Sequence, residues 1–213
     1  MAEITTLFWD IGGVLLSNGW DPGQRRRAVE EFALDPGEFE ARHEELFLAF
    51  ETHNVTLHEY LDETVFYRPR GFSREEFRRF MFAQSEAHPE TIEIAQGLAR
   101  SHRYLMAAVN NESLELNVYR IRHFGLRSCF SAFYSSCVLG VRKPSAAIYE
   151  RALEFTQRAP AECLMIDDRP ENLEAPGKLG MMAIRYESPA QLREELARHG
   201  VEAGNSRAEG TVF

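Results

Sequence analysis

The feature that most constrains this chain is a set of short apolar runs that stop at acids and amides. Thr6–Trp9 runs into Asp10, Tyr104–Val109 into Asn110-Asn111, and Cys163–Ile166 into Asp167-Asp168. Met182–Tyr186 is a fourth run, and Ala132–Ser135 a weaker fifth. Helical patterns lie between them. Continuous apolar runs are strands buried on both faces, and strands alternating with helices build a parallel sheet covered on both sides. Ligands of such sheets bind at the carboxyl ends of the strands. Three runs end there in Asp or Asn, which is a site hypothesis in itself. The predicted fold class is α/β, a doubly wound parallel sheet with a small all-helical cap inserted after the first strand.

The cap is read from residues 18–88, where the alternation breaks. "DPGQ" at 21–24 and "DPGE" at 35–38 each supply an Asp N-cap, Pro at N1 and Gln or Glu at N3. "TLHE" at 56–59 and "SREE" at 73–76 are capping boxes. Apolar residues recur at helical spacing through Phe39, Phe47 and Phe50, then Leu57, Tyr60, Leu61 and Val65, then Phe77, Phe80 and Met81. The core is therefore 1–17 with 89–200, and 201–213 reads as a flexible tail. Core helices are predicted over about 89–101, about 112–124, after Pro144, over about 171–179, and from Pro189 to Gly200.

Composition excludes some partners. The net charge of −9 argues against nucleic acid, because a phosphate backbone demands a basic face. The one basic cluster, Arg25-Arg26-Arg27, reads as a solvated helix face. Three cysteines with no C-x-x-C spacing read as reduced thiols in a cytoplasmic protein. No secretory signal is visible and no apolar stretch is long enough to span a bilayer, so no membrane is expected. The sequence carries no signal for oligomeric state.

Taken singly, each polar strand end has a plain reading. Asp10 caps a turn, Asn110-Asn111 is a turn or an N-cap for the next helix, Lys143 before Pro144 is a surface lysine, and Asp167-Asp168 is a helix N-terminal pair that the helix dipole favours. Taken together they converge on one edge of the sheet, where three bare carboxylates would repel one another. A hard divalent cation resolves that repulsion, since Mg²⁺ takes one or two carboxylates plus waters and phosphate oxygens. Lys143 adds a second positive charge for an anionic substrate. The chemistry suggested is phosphoryl transfer.

In these residues the chain resembles the haloacid dehalogenase (HAD) superfamily, in its helical-cap branch. "FWDIGGVL", "AAVNNES", "GVRKP" and "LMIDDRPENLEA" are similar to its four motifs, in order, over residues 1–200 or so. The resemblance implies a Rossmann-like core and gives each residue a role. Asp10 is the nucleophile that forms an aspartyl-phosphate. Asp168 binds Mg²⁺ directly, and Asp167 directly or through water. Asn110, where the family has Ser or Thr, donates to the phosphate, and Asn111 helps position the loop or substrate. Lys143 neutralises the nucleophile and the phosphoryl group. Asn172 orients Lys143 or a metal-bound water, although Pro176 in the same helix removes the N–H that its carbonyl needs.

The chain departs from the pattern at Gly12. The family's phosphatases carry a second Asp there, which protonates the leaving oxygen, and such help is worth roughly 10²–10⁴ in rate. Gly12 keeps the backbone carbonyl that serves as a metal ligand. Members with Gly at this position resemble sugar-1-phosphate phosphatases, whose anomeric leaving group needs less protonation. Among seven histidines, His43 or His53 of the cap could supply the proton, an ordinary packed or surface role being the simpler reading. The expected activity is a Mg²⁺-dependent phosphatase of a small phosphorylated metabolite, with sugar phosphates among the candidates. A dehalogenase-like hydrolase would also use Asp10 without a second Asp, but leaves Asp167-Asp168 unexplained. A degenerate phospho-ligand-binding protein is the third reading, and the intact Asp10, Lys143 and Asp168 speak against full decay.

Overall fold

The computed structural model describes residues 2–202. The chain runs β1 (Thr6–Trp9), α1 (Pro22–Glu31), α2 (Pro36–Glu51), α3 (Leu57–Thr64), α4 (Arg74–Ala83) and α5 (Pro89–Arg100). It continues through β2 (Leu105–Asn110), α6 (Leu114–His123), β3 (Ala132–Ser135), the single-turn α7 (Ser136–Leu139) and α8 (Ala146–Thr156). It closes with β4 (Cys163–Asp167), α9 (Glu171–Leu179), β5 (Met182–Arg185) and α10 (Pro189–Arg198). No helix among the described residues is long and apolar enough to cross a membrane.

The five strands form one parallel sheet in the order β3-β2-β1-β4-β5. Trp9 sits opposite Ala108 on one side and Ile166 on the other, so β1, β2 and β4 end side by side. Leu7, Trp9, Ile94, Leu98 and Leu192 pack on one face of the sheet, beneath α5 and α10. Phe8, Val109, Ile148, Tyr149 and Met165 pack on the other, beneath α8 and α9. Period-two alternation along β1 sends Leu7 and Trp9 one way and Phe8 the other.

Helices α1–α4 hold a separate core of Trp20, Phe39, Phe50, Tyr60, Phe77 and Met81, joined by Leu116 of α6. Their starts follow the sequence signals. Asp21 accepts from the Gln24 N–H, and Asp35 from that of Glu38. Thr56 with Glu59, and Ser73 with Glu76, close reciprocal capping boxes. The two connections to the core run side by side: Ser17 N–H donates to Glu86 O, and His88 N–H to Leu15 O, each at 2.8 Å.

Three local expectations are corrected. Arg25 is not part of a solvated face: its side chain turns inward, pairs with Glu40 at 2.8 Å and donates to Trp20 O. Helix α6 starts two residues late, at Leu114, because Glu112 is buried against Arg120 at 2.7 Å. Residues 201 and 202, read as tail, are anchored to the core. Val201 is buried in the core and the Glu202 N–H donates to Tyr104 Oη, while 203–213 lie outside the described residues.

Candidate active site

Asp10 follows β1 directly and is buried, with one carboxylate oxygen accepting the Ile11 N–H at 2.7 Å. The chain must then turn away within a few residues. Gly13 makes that turn at φ 74°, its N–H donating to Leu16 O at 2.8 Å. A Cβ on Gly13 would lie 2.3 Å from Asp168 Oδ2, so both the backbone and the neighbouring carboxylate require glycine there. Gly12 is different. Its φ lies outside the left-handed region, and a Cβ would meet nothing closer than Asn18 Oδ1 at 3.4 Å. The backbone does not demand glycine at 12. What the site lacks there is a side chain.

Lys143 reaches this point from the loop before α8. Its ammonium sits 2.8 Å from Asp10 Oδ2 and 2.6 Å from Asp167 Oδ2, with the side chain only 1% exposed. Burial pulls the lysine pKa down, but the two carboxylates outweigh it and hold the ammonium above its ordinary value. Burial also dominates at Asp10. With Asp167 adding repulsion, it overcomes the opposing Lys143 charge and raises the carboxyl to about 7. Burial and then Asp167 push Asp168 upward too. Asp10, Asp167 and Asp168 each offer an oxygen within 4.8 Å of the others. Asp168 Oδ1 is buried without a hydrogen-bond partner. One lysine for three carboxylates, and an orphaned carboxylate oxygen, fit a hard divalent cation.

Asp167 is fully buried and held on every side. Besides Lys143, it accepts from the Arg169 N–H at 2.9 Å and from Asn172 Nδ2 at 3.0 and 3.1 Å. Asn172 thus orients the acid, rather than touching the lysine. Pro176 does sit inside α9, and the carbonyl it orphans is that of Asn172. The Tyr149 hydroxyl of α8 donates to that carbonyl at 2.6 Å and replaces the missing helical bond.

Of the two amides at the end of β2, Asn111 sits where expected and Asn110 does not. Asn110 does not line the cavity: its Nδ2 donates to Asn117 Oδ1, and its Oδ1 accepts from Ser135 Oγ. Asn111 lines the cavity instead, gripping the Lys143 backbone through both amide atoms at 2.9 Å. Asn110 is the last residue of β2 and is held beside Ser135 by the pairing with β3, whereas Asn111 lies just beyond the strand.

The inner cavity has a volume of about 60 Å³ and is bordered by Asp10, Gly12, Asn111, Lys143 and Asn172. That is room for a group no larger than a tetrahedral oxyanion. Arg120, Arg142, Arg169 and Glu51 also border it and were not singled out from the sequence. Arg142 and Arg169 adjoin Lys143 and Asp168 in the chain, a signal that was available. Glu51 comes from the cap, where no local pattern marks it, and stands 2.6 Å from Arg142 across the cap–core boundary. Glu51, Arg142, Arg169 and Gly19 also line an outer chamber of about 290 Å³, whose remaining wall is mostly cap: Trp20, Arg25, His43, Phe47 and Phe50. Burial, then the Arg25 charge, lowers the His43 pKa to about 4, so its imidazole is neutral at neutral pH. A neutral imidazole is a poor substitute for the missing acid.

One edge of the parallel sheet thus carries an Asp after β1, a buried Lys before α8 and an acidic pair after β4. A family model described as haloacid dehalogenase-like hydrolase matches residues 4–180. The chain belongs to that family. Among solved structures, a HAD family enzyme from Bacteroides thetaiotaomicron superposes with a TM-score of 0.77 at 18% identity, covering 87% of this chain and 95% of that one. The same enzyme is known in complex with magnesium and inorganic phosphate, with a TM-score of 0.71 at 20% identity over 86% and 94% of the chains. The L-2-haloacid dehalogenase PA0810 also superposes, with a TM-score of 0.59 at 17% identity over 84% and 83%. At these identities the likeness is one of fold. Flavin mononucleotide hydrolase 1 of Arabidopsis thaliana is 30% identical over 76 residues, which is 36% of this chain and 31% of that protein. The chain thus spans under a third of that curated relative.

Proposed function

We propose that this hydrolase is a magnesium-dependent phosphatase of a small phosphorylated metabolite, acting in the cytoplasm. The observation that carries the reading is the convergence of Asp10, Asp167 and Asp168, with one carboxylate oxygen left unpartnered, beside a phosphoryl-sized cavity that Asp10 and Lys143 border. A dehalogenase has no use for that acidic cluster.

In this reading Asp10 attacks phosphorus as the P–O bond to the leaving oxygen breaks, that oxygen departs and takes its proton from water, and a second water hydrolyses the aspartyl-phosphate to phosphate and free Asp10. Lys143 stays charged and offsets the negative charge on Asp10 and the transferring group. Asp168 and Asp10, with the Gly12 carbonyl, hold Mg²⁺, which supplies further charge stabilisation when bound. Asp167 holds the Lys143 ammonium in place, steadied in turn by Asn172. Asn111 fixes the lysine backbone and borders the phosphoryl cavity, and Asn110 supports the strand end from behind. Inner and outer chambers together reach the low end of ordinary ligand pockets, roughly 300–1,000 Å³. That size suits a sugar phosphate.

The test is phosphate release over sugar phosphates, acyl and aryl phosphates, nucleotides and flavin mononucleotide, with Mg²⁺ and with EDTA. Mg²⁺-dependent release supports the proposal. Halide release from 2-haloacids in EDTA, with no phosphate release, would overturn it in favour of a dehalogenase. Binding of phosphate without turnover would make this a binding protein.

A further inference from the structure

The cap carries a hydrogen-bond chain that the catalytic residues do not use. Trp20 Nε1–H donates to Tyr60 Oη at 2.9 Å, and Tyr60 Oη lies 2.8 Å from His43 Nδ1. An indole N–H can only donate, so the phenol oxygen is an acceptor in the first bond. Tyr60 is fully buried, and its own proton needs an acceptor. Among the described residues His43 Nδ1 is the acceptor in reach. Were Nδ1 protonated instead, two donors would face one oxygen and the phenol proton would be stranded, at a cost typical of a buried unsatisfied group. The chain therefore fixes the histidine tautomer: Nδ1 bare, Nε2 carrying the hydrogen.

Among the described residues Nε2 has no protein partner, and His43 lines the outer chamber but not the inner cavity. Its donor thus faces the part of a substrate beyond the phosphoryl group. The chamber's chemistry narrows what that part can be. Arg25 is tied to Glu40 at 2.8 Å, and Arg142 lies 2.6 Å from Glu51. Glu44 and Glu51 add acceptors to the wall, while Trp20, Phe47 and Phe50 add flat apolar surface. Arg169, the one chamber arginine without an ion pair among the described residues, also borders the inner cavity and is taken up by the phosphoryl group; a second anionic group would meet carboxylates and arginines already paired. A neutral body with several hydroxyls suits aromatic surface beside acceptors and one fixed donor.

The geometry points to His43 as the residue that reads the leaving group, its Nε2–H donating to a hydroxyl oxygen of a neutral, polyhydroxylated body in the outer chamber. This rests on the phosphatase reading and adds to it a specificity residue whose donor is set by Trp20 and Tyr60. His43 touches the leaving group away from the bridging oxygen, so its contribution is to binding and selection rather than to proton transfer.

The test combines tautomer and selectivity. Nitrogen-15 NMR of the imidazole in wild-type protein is expected to show Nε2 protonated and Nδ1 bare. Tyr60→Phe is expected to give a mixture of tautomers. Kinetically, His43→Phe is expected to lower the preference for aldose phosphates over acetyl phosphate by about tenfold, chiefly through KM. His43→Gln, which retains a side-chain N–H, is expected to recover part of it. Melting curves identify any variant that fails to fold. A wild-type Nδ1–H tautomer, or an unchanged preference in folded His43→Phe, overturns the inference. If wild-type protein releases no phosphate from any ester, the phosphatase reading fails separately. Titrating an aldose 1-phosphate and inorganic phosphate against the Nε2 resonance still decides the donor: a shift with the sugar phosphate alone upholds it, and no shift overturns it.

Discussion

Gly12→Asp restores a carboxyl where the family's phosphatases carry their general acid, and the geometry permits it. Gly12 is outside the left-handed region, and a Cβ there makes an ordinary contact with Asn18 Oδ1 at 3.4 Å. The substitution should cost little stability, unlike Gly13→Ala, whose Cβ would collide with Asp168 at φ 74°. The new carboxyl would border the same small cavity as Asp10 and Lys143. Its benefit depends on how badly the leaving oxygen needs a proton. An alkyl phosphate leaves as a strongly basic alkoxide and should gain at least about tenfold in kcat/KM, or about 1.4 kcal/mol of transition-state stabilisation. An activated aryl phosphate departs without a proton and should gain less than about twofold. The assay is phosphate release over a series of esters graded by leaving-group pKa, for wild type and variant, at saturating Mg²⁺. Wild type should show a steep dependence and the variant a shallow one. A folded, metal-binding variant with the wild-type slope would refute the reasoning and show that the missing acid is not what limits this site.

Three further outcomes follow from the same geometry. Tyr149→Phe strands the Asn172 carbonyl and should cost about 1–3 kcal/mol by denaturant unfolding; in a Pro176→Ala background, where residue 176 regains its N–H, the cost should mostly vanish, and equal costs in both backgrounds would show the bond to be unimportant. Asp168→Ala should raise the Mg²⁺ concentration for half-maximal activity by at least about tenfold, and an unchanged titration would place the metal elsewhere. His43 has its pKa depressed on folding, from an ordinary 6.5 to about 4, so between those values the unfolded chain binds more protons and stability must rise with pH. That contribution is complete above pH 6.5 and lost as pH falls toward 4, about 2 kcal/mol after allowing for partial solvent exposure; His43→Phe should flatten this part of a melting-temperature profile.

Much of this architecture is written locally in the chain. The strands, the cap helices and their N-caps follow from apolar runs and capping residues that act within three or four positions. The polar strand ends could be placed on one edge of the sheet because parallel topology leaves few alternatives. Which neighbour faces the cavity could not be read: Asn110 and Asn111 are equivalent as sequence, and only the register of β2 against β3 turns the first toward Asn117 and Ser135. Arg25 and Glu112 look like surface residues because their partners, Glu40 and Arg120, lie beyond any local pattern. The rescue of Asn172 by Tyr149 and the tautomer of His43 depend on contacts between residues 17 to 40 apart, which no periodicity encodes.

The claim on which the account turns is that Asp10 becomes phosphorylated during turnover. Quenching the reaction in acid and reducing with borohydride converts an acyl-phosphate side chain to homoserine, which peptide mass spectrometry can locate. The account predicts homoserine at position 10 alone, only with substrate and Mg²⁺ present, and none in Asp10→Asn, which should release no phosphate. Sustained phosphate release by clean Asp10→Asn protein, or a phosphorylated residue elsewhere, would contradict it.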